Sequence, residues 1–290
     1  MPAPLPRFVV INKPVGATPL EALERYRTEA GLPAATPLAY AGRLDPLASG
    51  ALLILIGEEC KRQTEYHTLD KRYEIEVVFG IGSDTGDVMG LLSHPPRRPP
   101  VVAWTDIQNT LRSLRGSIEL PYPVFSAKTV KGKPLHTWAM EGRLDEITIP
   151  TKRSTIYNLM LLKLSTLSAQ ALDDQALFKI NTIPPVTEAR KALGNDFRRT
   201  DIRASWHAWL ASHRDQSFPV ATIACTASSG TYMRTLANVI ANQLDTNGLA
   251  LSIHRTHIGR YRPLWGTWGI WTTRFRGPQQ MPDTSPDTAA

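Results

Sequence analysis

The stretch GRLDPLASGALLILIGEECK, residues 42–61, places an acid–base pair directly before a long apolar run. Arg43 and Asp45 are the only charged residues between positions 31 and 57. Asp followed by Pro commonly begins a helical turn, because the carboxylate caps free backbone N–H groups and Pro46 fits the first helical position. The alternative is a functional pair whose charges are held in apolar surroundings. This stretch by itself leaves both interpretations open.

Apolar periodicity on both sides of this stretch predicts a mixture of strands and helices. Residues 71–79 alternate, with Tyr73 among the inward-facing side chains, which is typical of a half-buried strand. Thr18 and Glu21 have the spacing of a helix capping box. Further strands are predicted over residues 8–11, 51–56 and 155–164, and further helices over 105–115, 188–193 and 202–213. Because strands and helices do not alternate regularly, the predicted fold class is α+β, with a mixed, mostly antiparallel sheet flanked by helices.

Composition and charge narrow the class of protein. The chain has 290 residues, of which 42% are hydrophobic, so it can bury a full core; collagen, coiled coil and wholesale disorder are disfavoured. A formal net charge of +7 predicts attraction to polyanions such as nucleic acid. Cys60 and Cys225 provide neither a disulfide framework nor a zinc motif. The longest apolar run is far shorter than the ~20 residues that span a bilayer, and the N-terminus lacks signal-peptide features. We therefore expect a soluble cytoplasmic protein.

Three further clusters have both a structural and a chemical interpretation. Segment 228–234 is a Gly-containing turn before a helical pattern. It is either an ordinary connection or an anion site in which Arg234 pairs with a carboxylate or phosphate. The acidic, Gly-rich loop at 82–87 lacks the closing glutamate of an EF-hand, so a turn is favoured over a calcium site. His254 and His257 lie three residues apart without a third ligand, so no metal site is predicted.

Five motifs and a closing segment follow one another along most of the chain. They are VINKPVGATP (10–19), GRLDPLASGALLILIGEECK (42–61), KRYEIEVVFGIGSDTGD (71–87), FSAKTVKGKPLHTWAMEGR (125–143), SSGTYMRTLANVIA (228–241) and HRTHIGRY (254–261). In order and spacing they resemble the motifs of the TruB family of pseudouridine synthases. Five motifs in this order are highly specific, so the resemblance outweighs the structural interpretation of each motif taken alone.

The resemblance implies a pseudouridine synthase fold and an isomerase that detaches uracil from its ribose, turns it and rejoins it through carbon. The implied substrate is a T-loop uridine of tRNA (uridine-55), bound through the T-arm, and no cofactor or metal is implied. Carried over by motif, Asp45 is the nucleophile, Arg234 is its cationic partner, and Tyr73 stacks on the flipped uracil. The substrate-binding residues carried over in the same way are Tyr40, Arg43, Lys71, Arg72, Tyr232 and His254. The alternatives are the same chemistry on ribosomal RNA and a non-catalytic RNA-folding chaperone.

Two positions depart from the family pattern. Tyr40 stands where the bacterial family usually has a histidine that helps to displace the target base, so the base-displacing role is unassigned. His254 aligns where an apolar residue is expected, which predicts a more polar wall of the pocket. Arg43 completes the string GRLD, which other pseudouridine synthase families also contain.

The expected domain organisation is one catalytic domain over residues 1–275, with an insertion at about 165–217. Residues 276–290 are Pro-rich and polar, which predicts a disordered tail. The chain ends about 30 residues after Tyr261, so no RNA-binding PUA domain is expected. We expect a monomer that needs neither a protein partner nor a membrane.

The insertion has two possible roles. Arg198, Arg199 and Arg203 lie around a predicted helix start, where cations and backbone N–H groups could contact tRNA phosphates outside the T-loop. Alternatively, the helix is scaffolding, with Trp206 and Trp209 packed inward and the arginines solvated.

Overall fold

Strands and helices are distributed irregularly along the chain. The computed structural model describes residues 5–93, 99–185, 196–264 and 268–275. The strands are β1 (Phe8–Lys13), β2 (Leu38–Ala41), β3 (Ser49–Ile56), β4 (Asp70–Phe79), β5 (Gly82–Ser83), β6 (Leu92–Ser93), β7 (Gly116–Pro121), β8 (Thr129–Val130), β9 (Lys133–Pro134), β10 (Thr151–Ser168), β11 (Ser217–Ala227), β12 (Gly248–Pro263) and β13 (Gly269–Phe275). The α-helices are α1 (Pro19–Glu29), α2 (Gln63–His67), α3 (Trp104–Ser113), α4 (Leu135–Met140), α5 (Ala169–Thr182), α6 (Arg199–His213) and α7 (Met233–Asn242). Short 3₁₀ helices span Gly57–Arg62, Leu144–Glu146 and Asp196–Arg198.

One mixed sheet of nine strands organises the molecule. Its order is β1-β3-β12-β4-β11-β10-β7, with β2 paired to β3 and β13 paired to β12. The pairings are antiparallel except for a short parallel contact between β3 and β12. Strands β5 and β6 form one two-stranded ribbon, and β8 and β9 form another. The prediction of an α+β fold with a mostly antiparallel sheet is confirmed.

Most of the predicted elements are present at nearly the predicted positions. The predicted strands at 8–11, 51–56, 71–79 and 155–164 correspond to β1, β3, β4 and β10. The capping box is formed: the Glu21 N–H donates to Thr18 Oγ1 at 3.2 Å, and the Thr18 N–H donates to the Glu21 carboxylate at 2.7 Å. The helices predicted at 105–115 and 202–213 are α3 and α6. The predicted helix at 188–193 and the predicted disordered tail at 276–290 lie outside the described residues.

Helix α5 is the main element that the sequence did not predict. Its buried residues Leu172, Ala176 and Ile180 recur every fourth position, as one face of a helix requires. Asp173 is buried on the same helix, and polar residues separate the apolar ones in the sequence. The helical spacing of the apolar residues is therefore hard to recognise. The Ser168 side chain caps the helix by accepting from the Ala171 N–H at 3.2 Å.

The two faces of the sheet carry different helices. In β4, Ile75, Val77 and Phe79 belong to a buried cluster with residues of α3 and α7, as their alternation predicts. Val78 points to the other face, where a second cluster contains residues of α5 and α6. Among the helices that the structure describes, none has the length and apolar character to cross a membrane.

Candidate active site

Asp45 lies in the loop that joins β2 to β3. Its backbone carbonyl accepts from the Ala48 N–H at 3.0 Å, so the expected turn is present as a tight turn and not as a helix. The carboxylate accepts from Arg234 Nε at 2.8 Å. About 44% of the Asp45 side chain is exposed, so its carboxylate is reachable from solvent. The side chain is therefore fixed by a distant arginine while it stays open to a substrate.

Arg234 lies in the first turn of α7, and its side chain contacts three other segments of the chain. In addition to the bond with Asp45, its Nη1 donates to the Thr85 carbonyl at 3.1 Å and its Nη2 donates to the Phe125 carbonyl at 3.3 Å. Only 7% of its side chain is exposed. Burial opposes the charge, but Asp45 and Asp87 outweigh it and raise the pKa of Arg234. The guanidinium is a fixed cation that orients the Asp45 carboxylate.

Asp87 is a second carboxylate beside Arg234 that the sequence assigned only to a turn. Its Oδ2 lies 3.6 Å from Arg234 Nε, and the side chain is almost fully buried. Thr85 Oγ1 donates to Asp87 Oδ1 at 2.6 Å, and the Met89 N–H donates to the same oxygen at 2.9 Å. Burial raises the pKa of Asp87, while Arg234 acts in the opposite direction. The loop is thus both the predicted turn and a part of the charged network.

Tyr73 lies on β4, on the sheet face that carries α7. Burial raises the pKa of its hydroxyl, and the positive charge of Arg255 opposes that rise. Arg255 is its register partner on β12 and is 1% exposed. The Arg255 guanidinium also donates from Nε to Ala51 O of β3 at 2.7 Å and from Nη2 to Gly42 O of the Asp45 loop at 3.3 Å. Arg255, which the sequence did not single out, therefore connects Tyr73 to that loop.

The placement of Arg255 corrects the expectation for His254. Successive residues of a strand point to opposite faces, and His254 is the register partner of Glu74, so it points away from the face of Tyr73. Its Nδ1 shares a hydrogen bond of 2.9 Å with Ser49 Oγ. On the Tyr73 face, β12 instead presents Ile253 and Arg255, the register partners of Ile75 and Tyr73.

Lys71 and Arg72, two of the predicted substrate-binding residues, lie on opposite faces at the start of β4. Lys71 points inward with Tyr73 and is 6% exposed; its Nζ donates to the carbonyls of His67 and Leu69. Burial lowers the pKa of Lys71 to about 8. Arg72 points to the opposite face. The two residues therefore do not form one basic patch: Lys71 is bound to backbone carbonyls, and Arg72 faces away from Tyr73. Their binding to substrate stays a prediction.

Lys13, the last residue of β1, is a further buried cation. It is fully buried, and its Nζ donates to the carbonyls of Pro14 at 2.9 Å and Ala17 at 2.7 Å. Burial lowers its pKa to about 8, against the attraction of Asp45. It holds the turn between β1 and α1 close to the site.

The other predicted substrate-binding residues are Arg43, Tyr232 and Tyr40. Arg43, two residues before Asp45, is exposed. Tyr232 directly precedes α7, and its ring lies 5.4 Å from that of Tyr122. Tyr40 lies on β2 and packs against the cluster that contains α7. Among the residues described, no group of three or more His, Cys, Asp or Glu side chains is arranged to hold a metal ion.

Comparison with known proteins identifies the family. The model of the TruB family pseudouridylate synthase N-terminal domain matches residues 34–182. The tRNA pseudouridine synthase B of Caldicellulosiruptor saccharolyticus is 30% identical over 211 residues, which cover 69% of this chain and 70% of that protein. That of Bordetella pertussis is 26% identical over 254 residues, covering 87% and 81% of the two chains. That of Geobacillus thermodenitrificans is 36% identical over 155 residues, but these cover only 53% of this chain and 49% of that protein.

A solved structure shares the fold. A chain in the crystal structure of a Cbf5-Nop10-Gar1 complex matches with a TM-score of 0.51 at 13% identity, over 87% of this chain and 48% of that one. The matched family model and the relatives assign the chain to the class of pseudouridine synthases. Within that class, the chain belongs to the TruB family.

Proposed function

We propose that this chain isomerises a T-loop uridine of tRNA, uridine-55, to pseudouridine, with Asp45 as the nucleophile. The observation that carries the proposal is the hydrogen bond of 2.8 Å between Arg234 Nε and the otherwise open Asp45 carboxylate. A buried guanidinium that orients one accessible carboxylate is the arrangement that covalent catalysis needs. The relatives named tRNA pseudouridine synthase B support tRNA as the substrate.

The chemistry balances within one nucleotide. The N1–C1′ bond of uridine breaks, a C5–C1′ bond forms, and one proton leaves C5 while one is gained at N1. The Asp45 carboxylate bonds to C1′ as N1 leaves, and this bond breaks when C5 of the turned uracil attacks C1′. Tyr73 offers an aromatic face to the flipped base and a hydroxyl for proton movement, and Arg255 is its register partner on β12. No second substrate is required by this balance.

Several of the basic side chains are paired with acidic ones, so fewer of them are available to bind RNA phosphates than the net charge suggests. Basic residues in and beside the motifs and in the insertion form ion pairs with acidic side chains, among them Lys61, Arg62, Lys133, Arg198 and Arg199. Lys128 and Lys131 form no ion pair among the described residues. Both belong to the segment of the β8–β9 ribbon, which follows the Phe125 carbonyl that accepts from Arg234. We propose that this ribbon contacts the T-arm phosphates, because phosphate contacts provide most of the affinity for RNA.

The experiment that tests the proposal uses the purified chain alone, since we propose a cytoplasmic monomer that needs no partner protein. Unmodified tRNA transcript, an isolated T-arm hairpin and a ribosomal RNA fragment are each incubated with the protein, and pseudouridine is mapped by chemical labelling. The expected result is modification of a single T-loop uridine in the tRNA and in the hairpin. Modification of the ribosomal fragment alone would replace tRNA by ribosomal RNA as the substrate. Faster refolding of the RNA without any modification would replace the enzyme by a chaperone.

A further inference from the structure

In the chain, helices α5 and α6 connect β10 to β11, two strands that are neighbours in the sheet. The two helices pack against each other on the sheet face opposite α7. The tryptophans of α6 are buried: Trp206 is fully buried and Trp209 nearly so, with ring centroids 5.5 Å apart in an edge-to-face arrangement. The second buried cluster contains these rings together with Leu172 and Ala176 of α5. The inward packing agrees with the scaffold interpretation of the insertion.

Helix α6 holds the loop that carries Asp87. Trp206 Nε1 donates to the Val88 carbonyl at 3.1 Å, and both residues are fully buried. One residue earlier, Ser205 Oγ accepts from the Leu92 N–H at 3.1 Å. Two consecutive residues of α6 therefore fix the backbone on the C-terminal side of Asp87. That carboxylate is the one that lies beside Arg234.

The same helix pair also contacts the loop that carries Asp45. Leu47, two residues after Asp45, is 1% exposed and packs in the cluster of the α6 tryptophans. At the end of α5, the Thr182 carbonyl lies so close to Gly16 that a Cβ there would be 2.5 Å from it. The Gly16 N–H in turn donates to the Pro46 carbonyl at 2.9 Å.

The arginines of the insertion are bound within the protein. Arg199 is buried and donates to the carbonyls of Ile183 and Pro184 at 2.7 and 3.0 Å. Arg203 donates to Asn181 Oδ1 at 2.7 Å, and Arg198 donates to Asp84 Oδ2 at 2.6 Å. These contacts tie the three arginines to neighbouring parts of the protein, which favours the scaffold role of the insertion over the tRNA contact.

We propose that α5 and α6 form a positioning element for the active site, in which Trp206 sets the relative placement of the two carboxylates that flank Arg234. This proposal rests on the proposed synthase activity. It adds that the loops of Asp45 and Asp87 are held in place from the opposite face of the sheet. Loss of the Trp206–Val88 hydrogen bond lets the Asp87 loop shift, and Arg234 then orients Asp45 less well. Substrate binding depends on other surfaces and stays unchanged.

The test compares two tryptophan substitutions in the same helix. Trp206→Phe removes the Nε1 donor and keeps an aromatic ring. Trp209→Phe is the matched control, because Trp209 Nε1 is buried without a hydrogen-bond partner in the described part of the chain. At saturating tRNA transcript, we expect Trp206→Phe to lower the single-turnover rate by about tenfold, the effect of one buried hydrogen bond. The affinity for tRNA should stay within twofold of wild type for both variants, and the rate of Trp209→Phe should stay within twofold as well.

Hydrogen exchange provides a second readout that does not depend on activity. Trp206→Phe should accelerate amide exchange in residues 84–92, and Trp209→Phe should leave it unchanged. If Trp206→Phe does not fold, Ser205→Ala is measured in its place, with a smaller loss of rate and faster exchange at Leu92 expected. A rate and an exchange profile equal to wild type would overturn the proposal, as would equal losses for the two tryptophan variants. An inactive wild-type protein would refute the proposed function, while the exchange measurement would still decide the positioning role.

Discussion

Replacement of Arg234 by lysine keeps a positive charge in the site and removes the planar group that joins three segments. The guanidinium donates to Asp45 at 2.8 Å, to the Thr85 carbonyl at 3.1 Å and to the Phe125 carbonyl at 3.3 Å. A lysine ammonium is a compact point charge that cannot reproduce this fork. If it keeps only the contact with Asp45, two charge-assisted hydrogen bonds are lost, at about 1.5 to 3 kcal/mol each. The total of about 3 to 6 kcal/mol is divided between folding stability and the reaction barrier.

We expect Arg234→Lys to lower the single-turnover rate of pseudouridine formation by roughly 10²-fold, which corresponds to about half of that free energy. The assay follows pseudouridine in tRNA transcript at saturating enzyme, with tRNA affinity measured separately and expected to change little. Arg27→Lys is the matched control, because Arg27 Nη1 also donates to backbone carbonyls, at 3.1 Å for Pro33 and 2.9 Å for Thr36, in a different part of the fold. The control should lose stability without loss of rate. A rate for Arg234→Lys within threefold of wild type would refute the reasoning.

Two predictions concern stability. Lys13 has a folded-state pKa lowered to about 8 by burial, so the folded state binds fewer protons than the unfolded state from about pH 8 to about pH 10.5, and the free energy of unfolding rises with pH in that window. When the pH is raised from about 7.5 to about 10, the free energy of unfolding of wild type, measured in urea, should therefore increase by about 1 to 3 kcal/mol relative to that of Lys13→Met. The same difference between the two proteins at both pH values would contradict this. Gly50 has φ +102° and a Cβ there would overlap the backbone of β12, whereas Gly57 has φ +63° and open space around it. Gly50→Ala should cost at least ~3 kcal/mol and Gly57→Ala about 1 kcal/mol, and similar losses would count against the close contact of the two strands.

Local patterns in the sequence predicted much of the fold. The alternation in β4 placed Tyr73 and its inward neighbours on one face, and the capping box fixed the start of α1, because both signals act between residues close in sequence. The same alternation also placed Lys71 inward with Tyr73. Grouping Lys71 with Arg72 as a basic pair overlooked that signal. The face on which Lys71 lies could have been predicted from the sequence.

Other parts of the site depend on contacts between distant residues. Arg255 faces Tyr73 because of the register between β12 and β4, which bulges interrupt, and local sequence does not determine that register. Asp87 approaches Arg234 only because two loops and a helix meet in space. The helix pair α5 and α6 packs its tryptophans against loops more than a hundred residues earlier in the chain, such as that of Val88. These contacts could not be predicted from spacing or composition.

The central claim is that the Asp45 carboxylate performs the chemistry, and Asp45→Asn tests it most directly. The substitution keeps the size of the side chain and removes its negative charge, so the nucleophile is lost while the RNA surface is preserved. Asp106→Asn, at an exposed position in the first turn of α3, is the matched control. In single-turnover reactions on unmodified tRNA transcript, pseudouridine is mapped by chemical labelling and tRNA affinity is measured in parallel. We predict that Asp45→Asn forms no detectable pseudouridine and binds tRNA with an affinity within a few-fold of wild type. Asp106→Asn should match wild type in both measurements. Substantial pseudouridine formation by Asp45→Asn would contradict the account.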